Sequence, residues 1–165
     1  LRLILADPKN VIYNDQMHFQ PLLFHITNQE QFKKAMEWVS GEIDERLKLS
    51  EKRTPVLIIV EELGEFMIAD SNYTEIIVQK IVDNSEQTKI YLLLSTARAD
   101  STILSENLLS SFNKRLVFAV NSVEESQLVL NSNGAEIITN PGECLYKDMT
   151  SGEIQKLQIP YIQEK

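Results

Sequence analysis

The sequence is short of the residues that build the commonest small sites. It has one cysteine, Cys144, so it can form no internal disulfide and no cysteine-based zinc centre. A reducing compartment suits such a chain. It has two histidines, His18 and His25, with no His/carboxylate cluster around either, and both read as ordinary surface or half-buried side chains. Its five glycines are scattered, and none opens a G-x-x-x-x-G-K-[ST] string, the loop whose backbone N–H groups and lysine cradle phosphates. No apolar run approaches the length of a membrane-spanning helix. Positive charge is also scarce: 16 Lys and Arg stand against 24 Asp and Glu, a formal net charge of -8. Such a chain has no general attraction to a phosphate backbone, which argues against a free-standing nucleic-acid binder but leaves room for local cations in a larger ring.

What is present is ordinary globular material. A chain of 165 residues, 43% hydrophobic and 24% charged, fills one domain with a real core. Residues 1–165 are accordingly read as a single domain. There is no signal peptide, and Leu1 leads straight into a strand without an initiator Met, as expected of an excised piece. The apolar run Leu1–Ala6 is halted by Asp7-Pro8 and reads as a strand buried on both faces. Residues 10–20 read as polar turn, and Leu22–Ile26 as a second strand. Asn28 can cap a helix over Gln31–Leu49, in which Phe32, Ala35, Met36, Val39, Ile43 and Leu47 form one apolar stripe.

Val56–Val60 is the strongest strand signal, followed at once by Glu61 and Glu62. The pattern further predicts a helix over Tyr73–Val82, a strand at Ile90–Leu94 ending in Ser95-Thr96-Ala97-Arg98, a short helix over Ser101–Ser111 and a strand over Leu116–Val120. Ser122 and Glu125 form an S-x-x-E capping box for a helix reaching about Leu130. Cys144–Lys147 and Ile154–Ile159 can pair as a terminal hairpin. Gln163–Lys165 read as a frayed end. The alternation of strands and helices predicts an α/β fold, a mostly parallel sheet with helices on both faces.

Ligands of open α/β sheets bind beyond the carboxyl ends of the strands. Three polar groups stand there: Asp7-Pro8-Lys9, Glu61-Glu62 and Ser95–Arg98. An apolar strand closed by two acids resembles a Walker B segment, in which the first acid holds magnesium and the second orients the water that attacks a terminal phosphate. Read alone, an acid pair is also what any strand shows where it meets water. Arg98 and Arg115 are candidates for phosphate contact, or surface arginines paired with acids.

Taken in order, Leu3–Lys9, Tyr13-Asn14, Leu57–Leu63, Leu92–Arg98, Arg115–Val120, Gly134-Ala135-Glu136 and Gly142–Tyr146 resemble the motor of the FtsK/SpoIIIE-type DNA translocases. The matching strings there are LILIDPK, YN, VVVIDELADLM, LILATQRP, RIAFAVSS, GAE and GDMLY. The resemblance covers nearly the whole chain and implies a RecA-like P-loop ATPase fold lacking the first strand and phosphate loop. It implies that Glu61 holds Mg2+, that Glu62 is the catalytic acid, and that Thr96 senses nucleotide. It gives Arg98 the arginine of the ATQRP string and Arg115 that of a finger reaching a neighbouring subunit's nucleotide. Gly134, Ala135 and Glu136 match a loop near the nucleotide.

The cofactors implied are ATP and Mg2+, and the partners double-stranded DNA and further copies in a hexameric ring. The setting implied is cell division and chromosome segregation, in the cytoplasm or in the cytoplasmic part of a membrane-anchored protein. The departures point to weakened hydrolysis: Glu61 replaces Asp, Ala97 replaces Gln, Ala99 replaces Pro, Gln127 stands for an arginine, and Glu51–Thr54 shortens a loop. They also bring in an alternative, a non-catalytic ring subunit or secretion-system ATPase module that binds proteins.

Overall fold

A computed structural model describes residues 1–12, 20–48 and 53–160. Tyr13-Asn14, His18, Glu51 and the last residues, Gln163–Lys165, fall outside them, so the expectations placed there have no structural counterpart. The chain divides into two compact units, Leu1–Arg98 and Ala99–Lys165.

The first unit is a parallel sheet of four strands: β1 (Arg2–Ala6), β2 (Leu22–Ile26), β3 (Val56–Val60) and β4 (Ile90–Leu94), in the order β2-β1-β3-β4. Register is regular across the centre, with Ala6 beside Val60 and Val60 beside Leu94. β2, β3 and β4 have the predicted bounds and β1 starts one residue later than predicted, at Arg2; each is a five-residue, mostly apolar run. In β1, Ile4 and Leu5 point to opposite faces and both are buried, as a central strand requires. β3 alternates between buried and half-buried positions, and Leu93 on the edge strand β4 is 55% exposed, so one face is covered more deeply than the other.

Helix α1 (Gln29–Lys48) packs on β2, α2 (Leu63–Thr88) packs on β4, and the two helices pack on each other. Phe32 and Phe66 stack across that contact with ring centroids 4.3 Å apart. Asn28 caps α1 as expected, its side-chain oxygen accepting from the Gln31 N–H at 3.0 Å. The apolar stripe holds from Phe32 to Ile43, but its last member is Arg46 rather than Leu47, which is 45% exposed. Arg46 is buried because its guanidinium has work for three nitrogens there. Nε donates to Glu42 at 2.8 Å, Nη1 to the Thr88 carbonyl at 2.7 Å and Nη2 to the Thr54 carbonyl at 3.1 Å. One side chain thereby ties the end of α2 to the approach to β3.

Helix α2 is far longer than the predicted Tyr73–Val82. It begins directly after the acid pair and kinks at Asp70, whose backbone leaves helical geometry (φ −163°, ψ 84°). Asp70 restarts the helix by accepting from the Tyr73 N–H at 3.2 Å, and its other oxygen pairs with Lys33 at 2.7 Å. The kink opens the polar stretch Asp70-Ser71-Asn72.

The second unit carries an antiparallel sheet, β5 (Lys114–Val117), β6 (Glu143–Asp148) and β7 (Ile154–Gln158), in the order β5-β6-β7. The expected hairpin is β6-β7, with β5 added to it. The predicted strand Leu116–Val120 starts earlier and ends at Val117; beyond it, the Val120 N–H turns to the Ala135 carbonyl at 3.3 Å. The predicted helix Ser101–Ser111 shrinks to α3 (Glu106–Ser110) because Ser105 caps it, accepting from the Leu108 N–H, while Asp100 holds a separate turn before it. Helix α4 (Val123–Leu130) starts at Ser122 as expected. Only half the capping box forms: Ser122 Oγ accepts from the Glu125 N–H at 3.2 Å, but Glu125 reaches one residue further back, to the Asn121 N–H at 2.8 Å. A single 3-10 turn, Ala135–Ile137, follows. Gly142 has φ 76°, and a Cβ there would lie 2.8 Å from the Ile159 carbonyl oxygen, so the hairpin's close approach requires glycine.

Candidate functional site at the carboxyl edge of the parallel sheet

The strand order brings the three predicted polar groups to one edge. Asp7, Glu61 and Ser95 each follow the row formed by Ala6, Val60 and Leu94. Backbone bonds carry the ladder one step past the strands: Glu61 N–H to the Ala6 carbonyl at 2.8 Å, Ser95 N–H to the Val60 carbonyl at 2.9 Å, and Leu63 N–H to the Ser95 carbonyl at 2.8 Å. The candidate residues are therefore held on hydrogen-bonded backbone.

Asp7 is 1% exposed and is used within its own turn. Its Oδ2 accepts from the N–H groups of Val11 at 2.8 Å and Ile12 at 2.6 Å, closing the turn that Pro8 begins. The two glutamates lie further along the same edge. Glu61 Oε2 accepts from the Ser95 hydroxyl at 2.5 Å. Glu62 has left-handed backbone (φ 52°, ψ 64°), which costs a non-glycine residue roughly 1 kcal/mol and turns the chain from β3 into α2. Its carboxylate is held by two donors from the segment after β4: the Thr96 hydroxyl at 2.9 Å and the Ala97 N–H at 3.2 Å. The Thr96 oxygen in turn accepts from the Arg98 N–H at 3.1 Å.

Thus Glu61, Glu62 and Thr96 come together, with Arg98 joined to them through its backbone and its residue exposed. Ala97 cannot hydrogen-bond through its side chain, but its backbone N–H does so. The sequence places Ser95 in the polar group after β4 but gives it no role of its own, and it does not point to the Ala97 N–H. The register-fixing position of Ser95, first after an apolar strand, is the signal that was available.

The arrangement offers one acid fixed by a hydroxyl and a second aimed by two donors. Magnesium keeps several waters and takes only one or two protein carboxylates. Glu61 supplies such a carboxylate, and no cluster of three or more His, Cys, Asp or Glu occurs among the described residues. One carboxylate of this kind is within what magnesium takes from a protein.

The remaining candidates lie in the second unit. The Arg115 guanidinium donates to three carbonyls: Nε to Phe112 at 3.3 Å, Nη1 to Val129 at 2.8 Å and Nη2 to Leu109 at 2.5 Å. It ties the ends of α3 and α4, and its partial burial pulls its pKa below the usual arginine value. Gly134 (φ 132°), Ala135 and Glu136 form a turn bonded within itself. The Gly134 N–H donates to Glu136 Oε2 at 2.7 Å, and the Ala135 N–H donates to the buried Ser126 hydroxyl at 3.1 Å. The bond from Gly134, first among the causes, lowers the Glu136 pKa below the ordinary carboxylate value.

No protein-family profile matches the chain. Curated relatives do. DNA translocase FtsK of Leptospira interrogans serovar copenhageni is 26% identical over 192 aligned residues, covering 100% of this chain and 20% of the relative. DNA translocase FtsK of Streptococcus pyogenes serotype M3 is 25% identical, covering 99% of the chain and 24% of the relative. The chain is thus similar over its whole length to FtsK-type DNA translocases. It spans at most a quarter of the length of these relatives.

Among solved structures, the conjugation coupling protein TcpA of pCW3, in monomer form with ATPγS, superposes with a TM-score of 0.82 at 17% identity, over 95% of the chain and 51% of TcpA. The cytoplasmic domain of the type VII secretion ATPase EccC of Thermomonospora curvata superposes with a TM-score of 0.79 at 18% identity, over 98% of the chain and 22% of EccC. The chain shares its fold with these neighbours, and it is the RecA-like α/β fold expected from the sequence.

Proposed function

We propose that the FtsK-like chain is part of an ATP-driven motor that moves double-stranded DNA, and that residues 1–165 are one partial motor domain of it. The observation that carries the reading is the placement of Glu62: on the carboxyl edge of the sheet, turned out by left-handed backbone, with its carboxylate aimed by Thr96 and the Ala97 N–H. In this reading Glu62 orients and accepts a proton from the attacking water, which general-base catalysis makes worth about 10²–10⁴-fold in rate. Glu61 holds the magnesium, which when bound supplies positive charge to the phosphate oxygens. Thr96 couples the state of the phosphate to Glu62, because one hydroxyl can serve only one acceptor at a time. Arg98 contacts phosphate. Arg115, whose Nε, Nη1 and Nη2 are each bonded to a carbonyl, has N–H groups left over to present to a neighbouring copy's nucleotide in a hexameric ring. Gly134, Ala135 and Glu136 are assigned to a nucleotide-side loop by the resemblance alone.

The 165 residues contain no phosphate-loop string, and by themselves they should neither bind ATP well nor hydrolyse it. No helix among the described residues is long and apolar enough to cross a membrane. The proposed setting is carried over from the resemblance alone: cell division and chromosome segregation, in the cytoplasm or in the cytoplasmic part of an anchored protein.

The test is ATP hydrolysis by the full-length protein with and without duplex DNA. DNA should raise the rate, and Glu62→Gln should lower kcat by about 100-fold or more while ATP still binds. A folded full-length protein that hydrolyses no ATP under either condition would overturn the motor. The second reading, a non-catalytic ring subunit or secretion-system ATPase module that binds protein partners, draws on the likeness to EccC and on the departures at Glu61, Ala97 and Gln127.

A further inference from the structure

Neighbouring hydroxyls after β4 divide the two acids between them. Thr96 serves Glu62, and Ser95 serves Glu61. Ser95 is also the more firmly seated. Its N–H is bonded to the Val60 carbonyl and its own carbonyl to the Leu63 N–H, so the chain on both sides of the acid pair grips its backbone. From that seat its Oγ donates to Glu61 Oε2 at 2.5 Å and accepts from the Glu62 N–H at 3.4 Å. One hydroxyl thus touches the side chain of the first acid and the backbone of the second.

We propose that Ser95 is a positioning residue for a hard divalent cation of the magnesium type: it selects the Glu61 rotamer that meets the ion and locks that choice to the left-handed backbone of Glu62. The proposal rests on the motor reading above, in which Glu61 meets the cation. A glutamate carboxylate swings on three side-chain torsions, whereas a serine on clamped backbone has a single one. The bond therefore narrows where the carboxylate can sit. It engages Oε2 only, and among the described residues Oε1 has no hydrogen-bond partner, which leaves it for the cation or one of its waters. The bond also polarises the carboxylate along a fixed direction, as partners behind metal ligands do.

The test compares Ser95→Ala and Ser95→Thr with wild type in the full-length protein. Removal of a group behind a metal ligand typically costs 10–100-fold, so Ser95→Ala should raise the Mg2+ concentration for half-maximal ATP hydrolysis by about tenfold or more. That effect should exceed its effect on kcat at saturating Mg2+, and Ser95→Thr should restore the wild-type dependence. Without nucleotide or metal, the Glu62 amide should exchange with deuterium several-fold faster in Ser95→Ala, because it has lost its acceptor. An unchanged Mg2+ dependence in Ser95→Ala, with hydrolysis intact, overturns the positioning role. If wild type hydrolyses no ATP, the motor reading fails and the cation role falls with it; the amide exchange then still decides the bridge itself, unchanged exchange refuting it.

Discussion

Arg115 separates two explanations that its sequence position alone cannot. If it is held by carbonyls, its removal is first a folding defect, and any loss of activity has to be judged after that. The substitution Arg115→Met keeps most of the aliphatic stem and deletes the guanidinium. It breaks the bonds to Val129 at 2.8 Å and Leu109 at 2.5 Å, and the longer one to Phe112 at 3.3 Å. A hydrogen bond with one charged partner contributes about 1.5–3 kcal/mol net when buried. The site is only half-buried, and water can reach part of what is exposed, so each of the two short bonds belongs at or below the low end of that range. The long bond adds little. The expected loss is about 2–3 kcal/mol of unfolding free energy. Urea denaturation of the full-length protein, followed by a probe in the second unit, should show an earlier midpoint for that unit with an unchanged slope. Arg115→Lys should recover less than half of the loss, since an ammonium is one point and cannot span the carbonyls of α3 and α4 together. A midpoint for Arg115→Met within error of wild type refutes the anchoring argument.

Two further outcomes follow from the same structure. Gly142→Ala forces φ 76° on a residue with a Cβ and places that Cβ 2.8 Å from a backbone oxygen, so it should destabilise the second unit by about 1–3 kcal/mol, read by the same denaturation. The Asp70 carboxyl is held below its ordinary value, first by the Lys33 ammonium and then by the Tyr73 N–H. A folded pKa below the unfolded one stabilises the fold above the unfolded value and loses that contribution as pH falls through the folded value. The benefit should therefore fade as the pH drops below about 4. Asp70→Asn should remove that acid-limb dependence in a melting-temperature series, and an acid limb unchanged by the substitution would count against the pair.

The strands of the first sheet were legible because each is a short, mostly apolar run bounded by polar residues or proline, and nothing distant needs to be known to read them. The acid pair was legible for the same reason. What escaped depends on partners far along the chain. Arg46 looks like a surface residue in a helix pattern, and only the carbonyls of Thr54 and Thr88 explain why it lies inside while Leu47 lies out. The length of α2 escaped because Asp70 breaks the apolar period while serving as an internal cap. The third strand of the second sheet escaped as such because a strand's period does not say which neighbour it joins. At the site, the residue types were readable, but the split of Ser95 and Thr96 between two acids was not. That split depends on the alternation of side chains after β4 and on the left-handed turn at Glu62, which no propensity assigns to a glutamate.

That turn has a mechanical consequence. Glu61 and Glu62 are the entire connection between β3 and α2. The strand is locked in the middle of a sheet, whereas the helix is a 26-residue rod with a kink in its first third. Tilt or rotation of the turns before the kink passes to the torsions of two residues, and these are the two whose carboxylates carry the proposed chemistry. Force on the helix and the aim of the acids are thus geared together. The join is short enough that a load on the helix between Leu63 and the Asp70 kink is felt at the sheet edge without a relay.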